Sequence, residues 1–303
     1  MAAPSDIVIR RAEERDAAAV TAIVREADDA QALSETGWLH RQRTRNPRER
    51  SLVLVAEREG RVVALGQGGL NISTTTPGAA WGNVKVAGAE RRQGIGSLLY
   101  DALVDHLHEI EATRVTSFVR ASEEAERWAS ARGWERLLSG PLIARDLRNV
   151  PEPELPPGFH CLSMAELDRP EALFELTRVA ILDEPNPVPP DDLRYEDWIN
   201  EWEDPDLDRA SSAVVVHGDV PVAFVYINVA GDRAQHGGTA THPDYRARGL
   251  ATAAKRHALR AVAAKGITRI TTSNAEENAP MRAINRRLGF QPIGEHVILG
   301  RDV

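Results

Sequence analysis

The sequence predicts an α/β protein made of two copies of one domain. Three observations carry this expectation. Blocks of sequence recur in the same order at an offset of about 155 residues. A proline-rich segment separates the two sets. Within each set, β-rich hairpins alternate with amphipathic helical runs. A period this long means two domains rather than a solenoid. The 303 residues suit that count at roughly 150 residues per domain.

Four blocks define the repeat. AEERDAAAV from Ala12 resembles AELDRPEAL from Ala165, and LVLVAEREGRVVALG from Leu52 resembles AVVVHGDVPVAFVYI from Ala213. ERRQGIGSLL from Glu90 resembles YRARGLATAA from Tyr245. Arg132-Gly133-Trp134 resembles Leu288-Gly289-Phe290. The predicted boundaries are 1–148 for the first domain, 149–158 for a linker and 159–303 for the second. The linker, NVPEPELPPG, reads as extended because proline fixes φ and removes a donor.

Each copy starts with a short strand and a helical stretch. The hairpin from Leu52 or Ala213 follows, because two β-rich runs flank a glycine-containing turn. A third strand ends in a Gly-rich turn and leads into a helix. In copy one that helix carries an apolar stripe of Ile95, Leu98, Leu99, Ala102, Leu103, Leu107 and Ile110. In copy two the stripe is Leu250, Ala253, Ala254, His257, Ala258 and Val262, with His257 read as a packed core residue. Strands follow at Arg114 to Val119 and at Thr268 to Thr272. The last helices run from Glu124 to Ala131 and from Ala279 to Leu288, each stopped by glycine at C′. A closing hairpin is expected after each.

Composition narrows the function. The chain is 42% hydrophobic, which is ample for packed cores. A net charge of -8 and a pI near 5.7 argue against a generally basic nucleic-acid binder. No apolar run approaches membrane-spanning length. The start, MAAPSDIVIR, has an acid where a signal peptide has a basic region. The single cysteine, Cys161, permits no internal disulfide, and no His/Cys cluster has zinc spacing. A cytoplasmic protein without metal is expected. Residues 1–150 are neutral, with 21 cations and 21 acids, so the excess lies in the second half. Glu166 to Asp208 alone carries 15 acids against three arginines. That run reads as a solvated face or as a region attracting a cationic substrate.

The Gly-rich turns are Arg91-x-x-Gly94-x-Gly96 and Arg246-x-x-Gly249-x-Ala251. At a helix start the first N–H groups lack partners and can bind an anion. Small residues let a phosphate approach the main chain, and the arginine adds a charge-assisted contact. Neither turn has the Gly-Lys-Ser/Thr of a P-loop or the glycine spacing of the dinucleotide fingerprint.

Arg-x-x-Gly-x-Gly/Ala in this setting resembles the signature of the GNAT acetyltransferase superfamily. There it cradles the pyrophosphate of acetyl-CoA. The resemblance spans nearly the whole chain, twice, and is strongest from Thr239 to Phe290, through THPDYRARGLA and TTSNAEENAPMRAINRRLGF. It implies, for each copy, a mixed and mostly antiparallel sheet flanked by helices. The strand before the turn and the strand after the helix splay apart, and pantetheine lies in the gap. It implies direct acetyl transfer from acetyl-CoA to an amine. Implied coenzyme contacts are Arg91, Arg92, Gln93, Gly94, Ile95 and Gly96 in copy one. In copy two they are Thr239, Thr241, Arg246, Ala247, Arg248, Gly249, Leu250, Ala251, Asn274 and Asn278.

Many members place a tyrosine acid seven residues after an asparagine. Here the asparagine is Asn278, and Asn285 stands at the tyrosine position. Without the resemblance, Asn278 reads as a helix N-cap and Asn285 as a surface helix residue. Copy one has Ser122 and Ala129 at these places, and Val86-Ala87-Gly88 where copy two has Thr241-His242-Pro243. Copy two is therefore expected to carry the chemistry, and copy one to bind coenzyme or serve structurally. His236 lies just before the third strand of copy two, where family bases often sit, and its ordinary pKa suits the task. Outside that role it reads as a solvated loop histidine. Asp183 and Glu184 fall in the lid region that binds acceptors, and Trp198 and Trp202 read as lid or core packing. The acceptor is expected to be a small, cationic amine, and the protein a monomer or homodimer. Two other readings stay open: a non-catalytic acyl-CoA-binding protein, and an enzyme like mycothiol synthase. The latter's tandem layout matches, and the missing tyrosine weighs against it.

Overall fold

The computed structural model describes residues 6–167 and 169–303. Residues 1–5 of the start read above, and Asp168 of the acidic run, lie outside the described residues. The chain divides into two compact units. The first comprises the chain up to Ser139, Pro187–Asp192 and His296–Val303; the second comprises Gly140–Asn186 and Leu193–Glu295.

The first unit contains β1 (Ile7–Arg11), α1 (Ala17–Ala27), α2 (Glu35–Arg43), β2 (Leu52–Arg58), β3 (Arg61–Leu70) and β4 (Ala79–Val86). It continues with α3 (Ile95–Glu109), β5 (Arg114–Arg120) and α4 (Glu123–Ser130). A long strand follows, β6 (Glu135–Asp146). The second unit repeats the order with β7 (Phe159–Ser163), α5 (Pro170–Ala180), α6 (Tyr195–Trp202), β8 (Ala213–His217), β9 (Val220–Ala230) and β10 (Arg233–Thr241). Then come α7 (Leu250–Ala264), β11 (Arg269–Ser273), α8 (Ala279–Arg287) and a last long strand, β12 (Gln291–Asp302).

Both units have one strand plan. In the first, β1 to β4 pair antiparallel in sequence order, and β4 then pairs parallel with β5. In the second, β7 to β10 pair antiparallel, and β10 pairs parallel with β11. The mixed, mostly antiparallel sheet flanked by helices is thus present twice. The closing element differs from the expected hairpin. It is one long strand, and each unit takes it from the other repeat. His296 to Asp302 of β12 pair with β5 in the first unit, and Leu142 to Asp146 of β6 pair with β11 in the second. The compact units therefore do not follow the repeat boundaries. Gly140 allows the close approach needed in the second unit, since a Cβ there would collide with the Asn274 carbonyl.

The cores follow from the pattern. The β8 run Ala213-Val214-Val215-Val216 is buried without alternation, as in a strand covered on both faces. Val215 packs with Leu250, Ala254, Leu259 and Val262 of α7. Val214 and Val216 face Leu173 and Phe174 of α5 and Trp198 and Trp202 of α6. The two tryptophans are thus core residues, stacked at 5.7 Å. In the first unit, Leu99 and Leu103 of α3 cover Leu54 and Ala64, and Val20, Val24 and Trp38 cover Val55 and Leu65. Gly133 and Gly289 end their helices at φ of 80° and 83°, where a side chain would be strained. Among the described residues no helix is long and apolar enough to cross a membrane.

The exchanged strand gives a direct test. Removing His296–Val303 takes Val297 and Leu299 from the first unit's core, each worth about 1.5–3 kcal/mol. It also removes the hydrogen bond from His296 Nε2 to buried Asp28, 2.9 Å long. Burial tends to raise the Asp28 carboxyl, but the bond and charge of His296 outweigh it and hold the group below its usual range. The truncated chain should unfold its first unit at least ~5 °C earlier in calorimetry, and an unchanged transition would refute the exchange.

Candidate acyl-coenzyme site

Each unit builds the same cradle. β4 pairs with β5 only from Ala79 to Trp81, and β10 with β11 only at Ala234 and Gln235. Beyond those pairs the parallel strands part. The turns at their ends share a backbone shape. Arg92 and Ala247 have φ of 64° and 59°, and Gly94 and Gly249 have φ of 87° and 78°. The N–H groups of Ile95 and Gly96, and of Leu250 and Ala251, have no partner among the described residues, so each helix start offers donors to an anion.

The motif arginines act differently from the expectation of a direct phosphate contact. Arg91 Nε donates to Val86 O at 3.0 Å, and Arg246 Nε donates to Thr241 O at 3.2 Å. Each arginine thereby ties its turn to the end of the preceding strand. A terminal nitrogen of Arg246 also pairs with Asp183. That ion pair brings the Asp183–Glu184 segment to the turn.

In the first unit the gap is a cavity of about 420 Å³. Gly82 to Val86 form one wall and Ser117, Val119 and Arg120 another. Lys85, Arg91, Arg92, Arg120, Arg132 and Arg301 line it with Glu90 and Glu124; Arg92 pairs with Glu124 and Arg120 with Asp28 and Asp29, and the remaining basic excess favours a polyanion. Tyr100 also lines it; its hydroxyl accepts from Trp134 Nε1 at 3.3 Å and from Arg301. Tyr100 sits on α3, away from the α4 positions of Ser122 and Ala129.

In the second unit the strand carries a bulge. His236 pairs with Ile227 and Thr239 with Val225, so Gly237 and Gly238 together oppose Tyr226. Side chains there would crowd Tyr226, at 3.4 Å and 3.3 Å. The first unit runs through this point in regular register, Gly82 opposite Gly68 and Asn83 opposite Gln67. A bulge turns backbone N–H groups out of the ladder, which is what polarising a thioester carbonyl requires.

Several site residues need correction. His236 is not a loop residue before the strand. It lies within β10, is 3% exposed, and meets Phe290 edge-on at 5.9 Å. Burial, aided by the charge of Lys255, pushes its pKa well below the ordinary value, so the ring is neutral. Asn285 is not a surface residue but is fully buried. Asn278 does cap α8, its Oδ1 accepting from Met281 N at 3.2 Å. Ser122 caps α4 in the same way, its Oγ accepting from Ala125 N at 3.2 Å. Glu184 keeps contact with solvent, yet crowding by its neighbours raises its carboxyl above the usual range. His257 is half-buried on α7. Burial, and then Glu166, raise the Cys161 thiol to about 12, so it is no nucleophile.

The acidic run is partly engaged. Asp183 pairs with Arg246, Glu175 with Arg178, Asp208 with Lys265, and Glu166 caps the backbone at Ser163. Asp191 and Asp192 belong to the first unit, where Asp191 binds Thr75.

Lys255 has a role that the pattern of α7 does not reveal. It lies on α7 and is 1% exposed, and its Nζ donates to Asn285 Oδ1 at 3.1 Å. Asn285 Nδ2 donates in turn to Asn274 Oδ1 at 2.6 Å. A signal was present: only three of the 37 basic residues are lysine.

Two strand–turn–helix cradles, each beside a parting strand pair, define an enzyme class that grips an acyl coenzyme by its phosphates. The profile of the acetyltransferase (GNAT) family matches residues 17–134 and 173–290. The chain belongs to that family and is an acyltransferase. Among solved structures it resembles the tandem GNAT protein from the clavulanic acid biosynthesis pathway, with TM-score 0.74 and 19% identity over 98% of each chain. It also resembles a GCN5-related N-acetyltransferase from Sphaerobacter thermophilus, with TM-score 0.72 and 17% identity over 99% of this chain and 97% of that one. A GCN5-related N-acetyltransferase from Kribbella flavida gives TM-score 0.52 and 17% identity over 78% of this chain and 86% of that one. At these identities the likeness concerns the fold. No curated protein matches the sequence significantly.

Lys255 makes a stability prediction. Burial lowers its amine from 10.5 to about 7. Between those values the unfolded chain holds a proton that the folded chain has released, so stability rises with pH across that window. Below it the full penalty remains. Lys255→Met removes the penalty while leaving the Asn285 oxygen unpaired. The variant should be more stable than the parent by about 2–4 kcal/mol at pH 7 and lose that advantage by about pH 10. Urea midpoints at the two pH values decide it.

Proposed function

We propose that the protein is an acetyl-CoA-dependent N-acetyltransferase acting on a small, cationic amine in the cytoplasm. The observation that carries this is the doubled cradle, in which free helix-start N–H groups adjoin a strand pair that parts. The pyrophosphate would lie on the turn, with pantetheine in the gap. A neutral amine attacks the thioester carbonyl, the C–N bond forms, and the C–S bond breaks. Donors at the Gly237–Gly238 bulge favour the developing oxyanion. The bulge supports assigning the chemistry to the second copy. The six cations around the first unit's cavity support a coenzyme-holding role for the first.

Glu184 is the proposed base. Its raised carboxyl stands closer to the working pH than an ordinary glutamate. His236 is the weaker candidate, because a base must exchange its proton and His236 is sealed from solvent. An ionised Glu184 and the acids near it favour a cationic acceptor.

The division of labour is tested with one charge per turn. Ala251→Glu places a carboxylate at the second copy's helix start and should lower acetyl-CoA-dependent thiol release by at least about 100-fold. Gly96→Glu should halve the stoichiometry of coenzyme A binding in calorimetry. Loss of release from Gly96→Glu alone would reverse the assignment. Glu184→Gln should cost about 10²-fold in kcat/KM and remove the acid limb of the pH profile. Cationic amines should lose kcat/KM as ionic strength rises, and neutral amines should not; equal salt responses would remove the case for a cationic acceptor.

A further inference from the structure

The second copy has Asn285 at the position where many family members have a tyrosine, and Asn285 belongs to the buried chain Lys255–Asn285–Asn274. The chain has a direction. An ammonium can only donate, so Lys255 must face the oxygen of Asn285. That fixes the Asn285 amide, whose nitrogen then donates to Asn274 Oδ1. Asn274 is left with its Nδ2 as the free end, and it makes no further hydrogen bond among the described residues. Asn274 directly follows β11, the strand that has parted from β10. Asn285 and Lys255 are 0% and 1% exposed, so neither reaches substrate in this arrangement.

Composition points the same way. This chain uses arginine at almost every basic position and keeps lysine at only three. Lys255 is buried in α7 with no ion-pair partner among the described residues. A buried, unpaired cation costs stability. A compact ammonium with one strong donor contact is suited to setting an amide's orientation.

We propose that Lys255 is a positioning residue that, through Asn285, locks Asn274 as a hydrogen-bond donor to the sulfur of the departing coenzyme, in place of the missing tyrosine. This rests on the reading of the second copy as the transfer site. The donor stabilises a thiolate and supplies no proton. The C–S electron pair leaves on sulfur, and the thiolate takes its proton from water after release. When Lys255 loses its proton, the direction of the chain is no longer fixed. The ionisable side chain coupled to it is His236 on β10, which stays neutral. On α8, Arg286 and Arg287 are exposed and Arg282 is half-buried, and none of them shifts Lys255. Burial alone lowers its amine to about 7.

The test uses the full chain carrying Gly96→Glu, so that coenzyme A occupies only the second copy. The probe is coenzyme A itself, and the readout is the ultraviolet absorbance of its bound thiolate against pH. In the parent, the bound thiol should titrate below pH 7, where Lys255 still holds its proton, against an ordinary value of about 8.5. Asn285→Asp keeps the bond to Lys255 and the side-chain volume, but a carboxylate cannot donate to Asn274. It should fold, bind coenzyme A, and return the thiol to its ordinary value, as should Lys255→Met. At saturating acetyl-CoA, thiol release should fall about tenfold or more in both variants, and the loss of rate above pH 7 should vanish in Lys255→Met. A merely structural lysine predicts wild-type titration in Asn285→Asp, and that result overturns the proposal. If coenzyme A binds but no amine is acetylated, the functional reading fails while the thiol titration still decides this one. If coenzyme A does not bind in this background, both fall.

Discussion

The fold depends on one geometric event, the parting of two parallel strands after two or three residue pairs. β4 leaves β5 after Trp81, and β10 leaves β11 after Gln235. Backbone groups past the fork lose their ladder partners, and such groups must be satisfied by something else. The outer neighbours supply part of the answer. β3 and β9 hold one side of each fork, and the exchanged strands β12 and β6 hold the other. The unfilled space between is where an extended ligand with amide groups of its own can lie. The Gly-rich turn stands at the fork's mouth because the diverging strand must reverse there into a helix.

The two copies have used the same fork differently. In the first, mainly apolar walls and several basic side chains surround an open cavity. In the second, the strand bulges and a buried lysine–asparagine chain replaces the aromatic pairing of Tyr100 and Trp128. Neither site is a damaged version of the other. Each is internally consistent, with its helix capped, its turn in the same strained shape and its arginine tied to the strand end.

Much of this was legible in the sequence. The repeat, the turns, the stripes on α3 and α7 and the glycine stops came from periodicity and steric rules that act locally. The cap at Asn278 did too. What was missed depends on distant pairings. The destination of β6 and β12 is invisible, because a strand's pattern states which face is buried and not which neighbour it joins. Lys255 was hidden by its class, since a lysine on a helix normally points outward. His236 was placed before a strand that already begins at Arg233, and burial then reversed its chemistry. Composition could not say which carboxylates of the acidic run are engaged in caps and ion pairs, because those partners lie on distant elements.

The exchange of closing strands also sets a schedule for synthesis. The first unit's β5 waits for its neighbour until His296–Val303 has been made, which at ribosomal speeds is on the order of ten seconds or more. During that interval β5 presents an unpaired edge that carries Phe118 and Val119. The first half of the protein must therefore leave the ribosome unfinished, and crowded translation of many copies would expose the same edge to the same strand on a neighbouring chain.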